Sequence, residues 1–251
     1  MPSDGERDKV VRHHLFVSPE ELYLQKRTAG LSAMFQTKIC GITDRASAAA
    51  VASAGVDAIG LNFYSGSRRY VSIEQAEAIV VDLPGDIIRV GLFVDATDDE
   101  VSATYDRLQL DLVQLHGSEP PEFIASLGER AVMKAFRLGT NGLAPIAAYL
   151  DQCRSLGCSP ELVLIDADVP GQLGGTGQTA DWNLLVEERE LIAGERLVLA
   201  GGLTAENVGD AIRQVAPDAV DTASGVELDC PHKDEELSAR FVAVANAAFS
   251  E

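Results

Sequence analysis

Thr37-Lys38-Ile39-Cys40-Gly41-Ile42-Thr43-Asp44 is a short apolar run that stops on a cysteine and a glycine and then offers a helix cap. It reads as a strand over residues 37–41 followed by a helix opened by Asp44. A cysteine at such a junction can stand at the mouth of a pocket, where a thiolate is useful. It can equally be a buried small hydrophobe. The rest of the chain has to decide between the two.

Outward from this unit the same rhythm repeats. Runs rich in Val, Ile and Leu predict further strands over 57–63, 87–94, 111–116, 131–137, 161–166, 196–200 and 219–222. Polar residues suited to capping stand before the segments between them: Ser72, Thr97, Ser118, Asp181 and Thr204. Residues 233–248 read as a closing helix. Strands that alternate with helices pair in parallel and are buried on both faces. Eight such units favour closure into a single (β/α)8 barrel, a TIM barrel, over an open doubly wound sheet.

The length of 251 residues fits this as one domain, 34–251, with no internal linker. Residues 1–33 differ: they are charged, lack sustained alternation, and read as an N-terminal extension, disordered or forming a short helix behind Ser18-Pro19. Met34 offers an alternative start. No apolar run approaches the roughly 18–20 residues of a membrane span, and the N-terminus has no apolar signal core, so a cytoplasmic location is expected. A net charge of −19 argues against nucleic acid as a partner. The acidity fits a salty cytoplasm and equally an ordinary acidic protein. Cys40, Cys153, Cys158 and Cys230 form no zinc-type pair and read as free thiols.

In a barrel of this kind the site lies at the C-terminal ends of the strands. The predicted strand ends hold Cys40, then Asn62 with the Ser65–Tyr70 segment, Gln114 and His116, Asp166, Gly201-Gly202, and Asp221 followed by Ser224-Gly225. Gly174-Gly175-Thr176-Gly177 adds a glycine-rich loop after the sixth strand. Each residue alone has an ordinary structural explanation: Arg68 a solvated surface, Trp182 packing, Asp166 a turn cap, His116 a satisfied histidine. Together they fall on one barrel face. Three glycine loops there suit a phosphate, because glycine backbone can turn its N–H groups onto an anion.

These motifs, in order, resemble phosphoribosylanthranilate isomerase, the tryptophan-pathway barrel. The resemblance rests on Lys38–Thr43, Gln114–Gly117, Gly174–Gly177 with Asp181-Trp182, Ala200–Leu203 with Asn207, and Ser224–Glu227, and spans residues 35–248. It implies a cofactor-free, metal-free Amadori rearrangement of a small phosphosugar by a monomer or homodimer. Cys40 matches the general base and Asp166 the general acid. Arg69 matches the residue that holds the anthranilate carboxylate. Gln114 and His116 fall with the substrate-binding residues, as do Gly175, Thr176, Gly177, Gly201, Gly202, Ser224 and Gly225 of the phosphate loops. A thiol needs a lowered pKa to be a competent base near neutrality, so a depressed Cys40 is expected. Ala180, Ala223, His232 and the Ser65-Gly66-Ser67-Arg68 segment depart from the family pattern. Ala223 removes a hydroxyl near the phosphate, and His232 stands where a glycine is usual.

Overall fold

The structure, a computed structural model, describes residues 35–166 and 182–251. The expectations for residues 1–33, for the 174–177 loop and for the Asp181 cap lie outside the described residues. The elements are β1 (Thr37–Cys40), α1 (Arg45–Ser53), β2 (Ala58–Asn62), α2 (Ile73–Val80), β3 (Ile88–Phe93), α3 (Asp98–Leu108), β4 (Leu112–Leu115) and α4 (Pro121–Ser126). They continue with β5 (Val132–Arg137), α5 (Ala144–Ser155), β6 (Leu162–Asp166), α6 (Trp182–Glu187), β7 (Leu197–Ala200), α7 (Val208–Val215) and β8 (Ala219–Thr222). A two-stranded ribbon, β9 (Glu227–Asp229) and β10 (His232–Lys233), precedes α8 (Glu235–Phe249).

The eight strands β1 to β8 pair in parallel in sequence order and close into a barrel. At the seam, β1 pairs with β8 so that Lys38 stands opposite Asp221. Alternation along each strand then sorts the side chains. One parity fills the interior with Ala58, Val90, Leu112, Met133, Leu164 and Val198. The other parity, including Ile39, Ile59, Val113 and Ile165, packs outward with the helices. Burial on both faces explains why the strands read as short continuous apolar runs. No described helix is long and apolar enough to cross a membrane.

Most helix starts follow the capping logic. The Asp44 carboxylate accepts from Ser47 N–H at 2.8 Å. Ser72 with Gln75, and Thr97 with Glu100, form reciprocal capping boxes. Two expected caps are different. Ser118 lies before the start of α4, which begins at Pro121 with Pro120 as its cap; the prolines set the entry, and Ser118 N–H donates instead to Asp95. Thr204 opens a turn, and α7 starts only after Asn207. Asn207 is held back because its side chain accepts from Thr204 N–H at 2.8 Å and donates to Gly202 carbonyl at 3.1 Å. That arrangement fixes the loop after β7.

A second loop is fixed by charge. Lys134 in β5 is 2% exposed and donates to Glu119 at 2.9 Å and to the Gly117 carbonyl at 2.8 Å. Glu119 accepts in turn from the N–H groups of Asp95 and Gly117. This cluster braces the segment that follows His116. Removing one partner of a buried pair leaves the other uncompensated. Lys134→Met should therefore cost about 3–5 kcal/mol. Urea denaturation checks this, with a lower midpoint and an unchanged m-value expected.

Candidate active site

Inward parity at the strand ends brings the chemistry-bearing residues together. Cys40, Asn62, Gln114, His116, Arg137, Asp166 and Asp221 line one cavity of about 530 Å3, with Arg69, Gly201, Gly202 and Ser224 around it. Cys40 and Asp166 thus enter the same space from β1 and β6. Gly225 follows directly on Ser224 in the turn after β8. Among the expected residues, Gly175, Thr176 and Gly177 lie outside the described residues.

Cys40 is buried, with its sulfur turned toward β2. A Cβ added at Gly60 would stand 2.6 Å from the Cys40 Sγ, so a glycine is needed there to leave the sulfur room. Burial pushes the Cys40 thiol up, and the charges of Lys38 and Lys233 only partly oppose it. The expected depression of this thiol is therefore not what the resting site has. The apolar interior that shapes the pocket also disfavours a buried anion.

Beneath the cavity floor, Lys38 is fully buried and its Nζ donates to Asp221 Oδ1 at 3.0 Å. Burial works against the ammonium, but Asp221 and then Cys40 outweigh it and hold Lys38 above its ordinary range. Burial likewise pushes the Asp221 carboxyl up, with Lys38 opposing.

Across the barrel, Gln114 is 1% exposed, and its Nε2 lies 3.4 Å from His116 Nδ1. Accepting at Nδ1 places the imidazole proton on Nε2, the nitrogen that lies 4.0 Å from Asp166 Oδ2. Burial lowers the His116 pKa, so the ring is neutral near pH 7. The Gln114 Oε1 is buried and has no hydrogen-bond partner among the described residues. It is an acceptor open to a donor from a ligand.

Arg69 comes from the segment after β2. Ser67 Oγ accepts from Arg69 N–H and from the Asn62 side chain, both at 3.1 Å, which gives the unusual Ser65–Arg68 stretch its turn. Arg68, by contrast, is exposed. The Arg69 guanidinium makes a bidentate pair with Glu227, at 2.8 and 2.7 Å. Its stem crosses Gly41, which has φ +79°, and a Cβ there would meet Arg69 Cδ at 2.3 Å. The glycine of the opening motif is thus required twice, by its backbone and by the arginine above it.

Glu227 also accepts from Lys233 at 2.5 Å, and Lys233 donates to the Ala223 carbonyl at 2.9 Å. This chain of contacts ties Arg69 to the loop after β8. That loop is joined to the loop after β7 by Thr222 Oγ1, which donates to the Leu203 carbonyl at 2.7 Å. Ala223 leaves the loop connected through its carbonyl. His232 reaches Asp44 at 3.2 Å and joins the cap of α1.

Several site residues escaped the sequence reading. In the sequence Lys38 and Glu227 stand only inside matched motifs, Lys233 only at the start of the closing helix, and Arg137 only as a strand end. A charged residue at an inward position of a buried strand is the signal for Lys38 and Asp221. Nothing local marks Glu227 as a site residue: its bidentate partner Arg69 lies 158 residues away. Trp182 is buried in the layer between barrel and helices, as packing predicts.

Residues 37–244 match the family described as N-(5'-phosphoribosyl)anthranilate isomerase. The chain belongs to this family. It is 45% identical over 214 residues to N-(5'-phosphoribosyl)anthranilate isomerase of Geobacter sp. (strain M21), covering 84% of this chain and 98% of that one. The crystal structure of phosphoribosyl anthranilate isomerase from Thermotoga maritima aligns with a TM-score of 0.75 at 37% identity, over 85% of this chain and all (100%) of that one. A further structure of the enzyme, in complex with reduced 1-(o-carboxyphenylamino)-1-deoxyribulose 5-phosphate, aligns at 0.70 and 35% identity, with coverage of 85% and 100%.

The Arg69–Glu227–Lys233 cluster has a pH signature. Burial works against the Glu227 charge, but hydrogen bonds from Arg69 and Lys233 prevail and hold its pKa below the ordinary 4.5. A carboxylate depressed by folding contributes stability above its unfolded pKa and loses it as the pH falls through the folded value. Glu227→Gln should be less stable than the parent at pH 7. The gap should close as the pH falls below about 4.5, as urea titrations across that range would record.

Proposed function

We propose that this chain catalyses the Amadori rearrangement of N-(5-phosphoribosyl)anthranilate to 1-(2-carboxyphenylamino)-1-deoxyribulose 5-phosphate, by general acid/base catalysis. The observation that supports this most is the convergence of Cys40 and Asp166 on one cavity whose rim holds Arg69 and the loops after β7 and β8. A thiol and a carboxyl on different strands can address two ends of one reacting sugar.

The phosphate is bound by the N–H groups of Gly201-Gly202 and Ser224-Gly225; the family resemblance assigns the same role to Gly175, Thr176 and Gly177, which lie outside the described residues. Arg69 holds the anthranilate carboxylate while Glu227 fixes the plane of its fork. Asp166, as a carboxylic acid, gives its proton to the ring oxygen. The bond from C1 to that oxygen breaks, and the nitrogen lone pair forms the iminium. The iminium makes the C2 proton acidic, and the Cys40 thiolate removes it. The resulting enolamine becomes the 2-ketose by losing its enol proton and gaining one at C1. Gln114 and His116 line the sugar between the two groups, and neutral His116 can donate from Nε2 without adding charge.

General acid or base groups contribute typically 10²–10⁴-fold. Consumption of the fluorescent substrate should therefore fall by about that factor in kcat for Cys40→Ala and for Asp166→Asn. Arg69→Met should act mainly through a raised KM. Full activity in Cys40→Ala would end the base assignment, and an inert parent protein would end the isomerase reading.

A further inference from the structure

Cys40 must form a thiolate in a place that resists one, and the charges around it show where help comes from. Lys38 faces it from the same strand, two residues earlier. Asp221 faces it from β8, Lys233 from β10, and Arg69 from the segment after β2. β2 itself contributes only Gly60 beneath the sulfur. Asp166 and His116 stand across the cavity.

Arg69 and Lys233 are both committed to Glu227, at 2.7 and 2.5 Å. Lys38 is different: its side chain is as fully buried as that of Lys233, but it lies inside the barrel, and its carboxylate partner Asp221 also lines the cavity. One cation therefore serves two acidic groups, Asp221 and Cys40. We propose that Lys38 is a positioning residue for the catalytic base: its ammonium, anchored by Asp221, is the buried charge against which the Cys40 thiolate forms. The inference rests on the assignment of Cys40 as base and names what makes that base available. Burial pushes both acids up, as expected for two groups that compete for one positive charge.

The arrangement has a sign that packing cannot imitate. Among the described residues, removing the ammonium takes away the larger of the two positive charges, Lys38 and Lys233, that favour the thiolate. Removing the carboxylate charge leaves the ammonium to Cys40 alone. Alkylation of Cys40 by iodoacetamide, followed against pH by mass spectrometry of its own peptide, reads the thiolate fraction separately from Cys153, Cys158 and Cys230. In Lys38→Met the inflection should move up by about one unit or more, and in Asp221→Asn it should move down.

An inflection unmoved in either variant, or moved in the same direction in both, would overturn the proposal and leave Lys38 as a structural group. If circular dichroism shows that Lys38→Met does not fold, Lys38→Gln takes its place, because Asp221 also acts on Cys40 directly. An upward shift then supports the proposal, and an unmoved or downward one overturns it. The titration does not depend on turnover. A fully active Cys40→Ala would defeat the base assignment and leave these shifts standing, whereas an inert Cys40→Ala with unmoved inflections defeats only the role of Lys38.

Discussion

The contact on which the rest of the structure depends is the ion pair between Lys38 in the first strand and Asp221 in the last, 183 residues apart. It lies on the seam where β1 meets β8, at paired positions in the register. A buried ion pair is weak evidence for net stability, because desolvation offsets most of the attraction. Its effect is on register. A slip of one residue would turn the two charges out of contact and send Cys40 to the outer layer, since alternate residues face opposite sides. With the seam closed in this register, Cys40 lies on the cavity wall and Asp166 faces it from β6.

The same logic extends to the rim. Arg69, Glu227 and Lys233 link the segment after β2 to the loop after β8, and Thr222 with Leu203 links that loop to the one after β7. In the proposed reaction, the ends of a phosphosugar carrying an aromatic acid would meet groups that are held to one another. Preorganised donors need little rearrangement when the substrate arrives. Glycine at 41 and 60 gives the room for this: one lets the arginine lie across the first strand, the other lets the sulfur turn inward.

Much of this was legible in the chain. The strand positions follow from apolar runs buried on both faces, and the structure moves their ends by a residue or so. Asp44, Ser72 and Thr97 announce their helices because capping is local. Ser118 and Thr204 mislead because Pro120-Pro121 and the back-turned Asn207 set the real starts. Cys40, Gln114, His116 and Asp166 stand at strand ends, the resemblance singles out Arg69, and the structure brings all of them to one cavity. The electrostatics were not legible. Cys40 is raised by burial, with Lys38 opposing from its own strand, Asp221 adding and Lys233 opposing; the burial, Asp221 and Lys233 come only with the closed barrel. Glu227 and Arg137 carry no local signal of a site role, because the site around them is assembled from distant parts of the chain.

Cys40 and Asp166 are proposed to work on one bound sugar whose phosphate sits on the loops after β7 and β8 and whose carboxylate is held by Arg69. A crystal structure of this chain with reduced 1-(2-carboxyphenylamino)-1-deoxyribulose 5-phosphate tests it most directly. The expected result is phosphate on the backbone of Gly201-Gly202 and Ser224-Gly225, carboxylate on Arg69, and the sugar carbons between the Cys40 sulfur and the Asp166 carboxyl. A phosphate seated away from those loops, or a sugar out of reach of both Cys40 and Asp166, would contradict it.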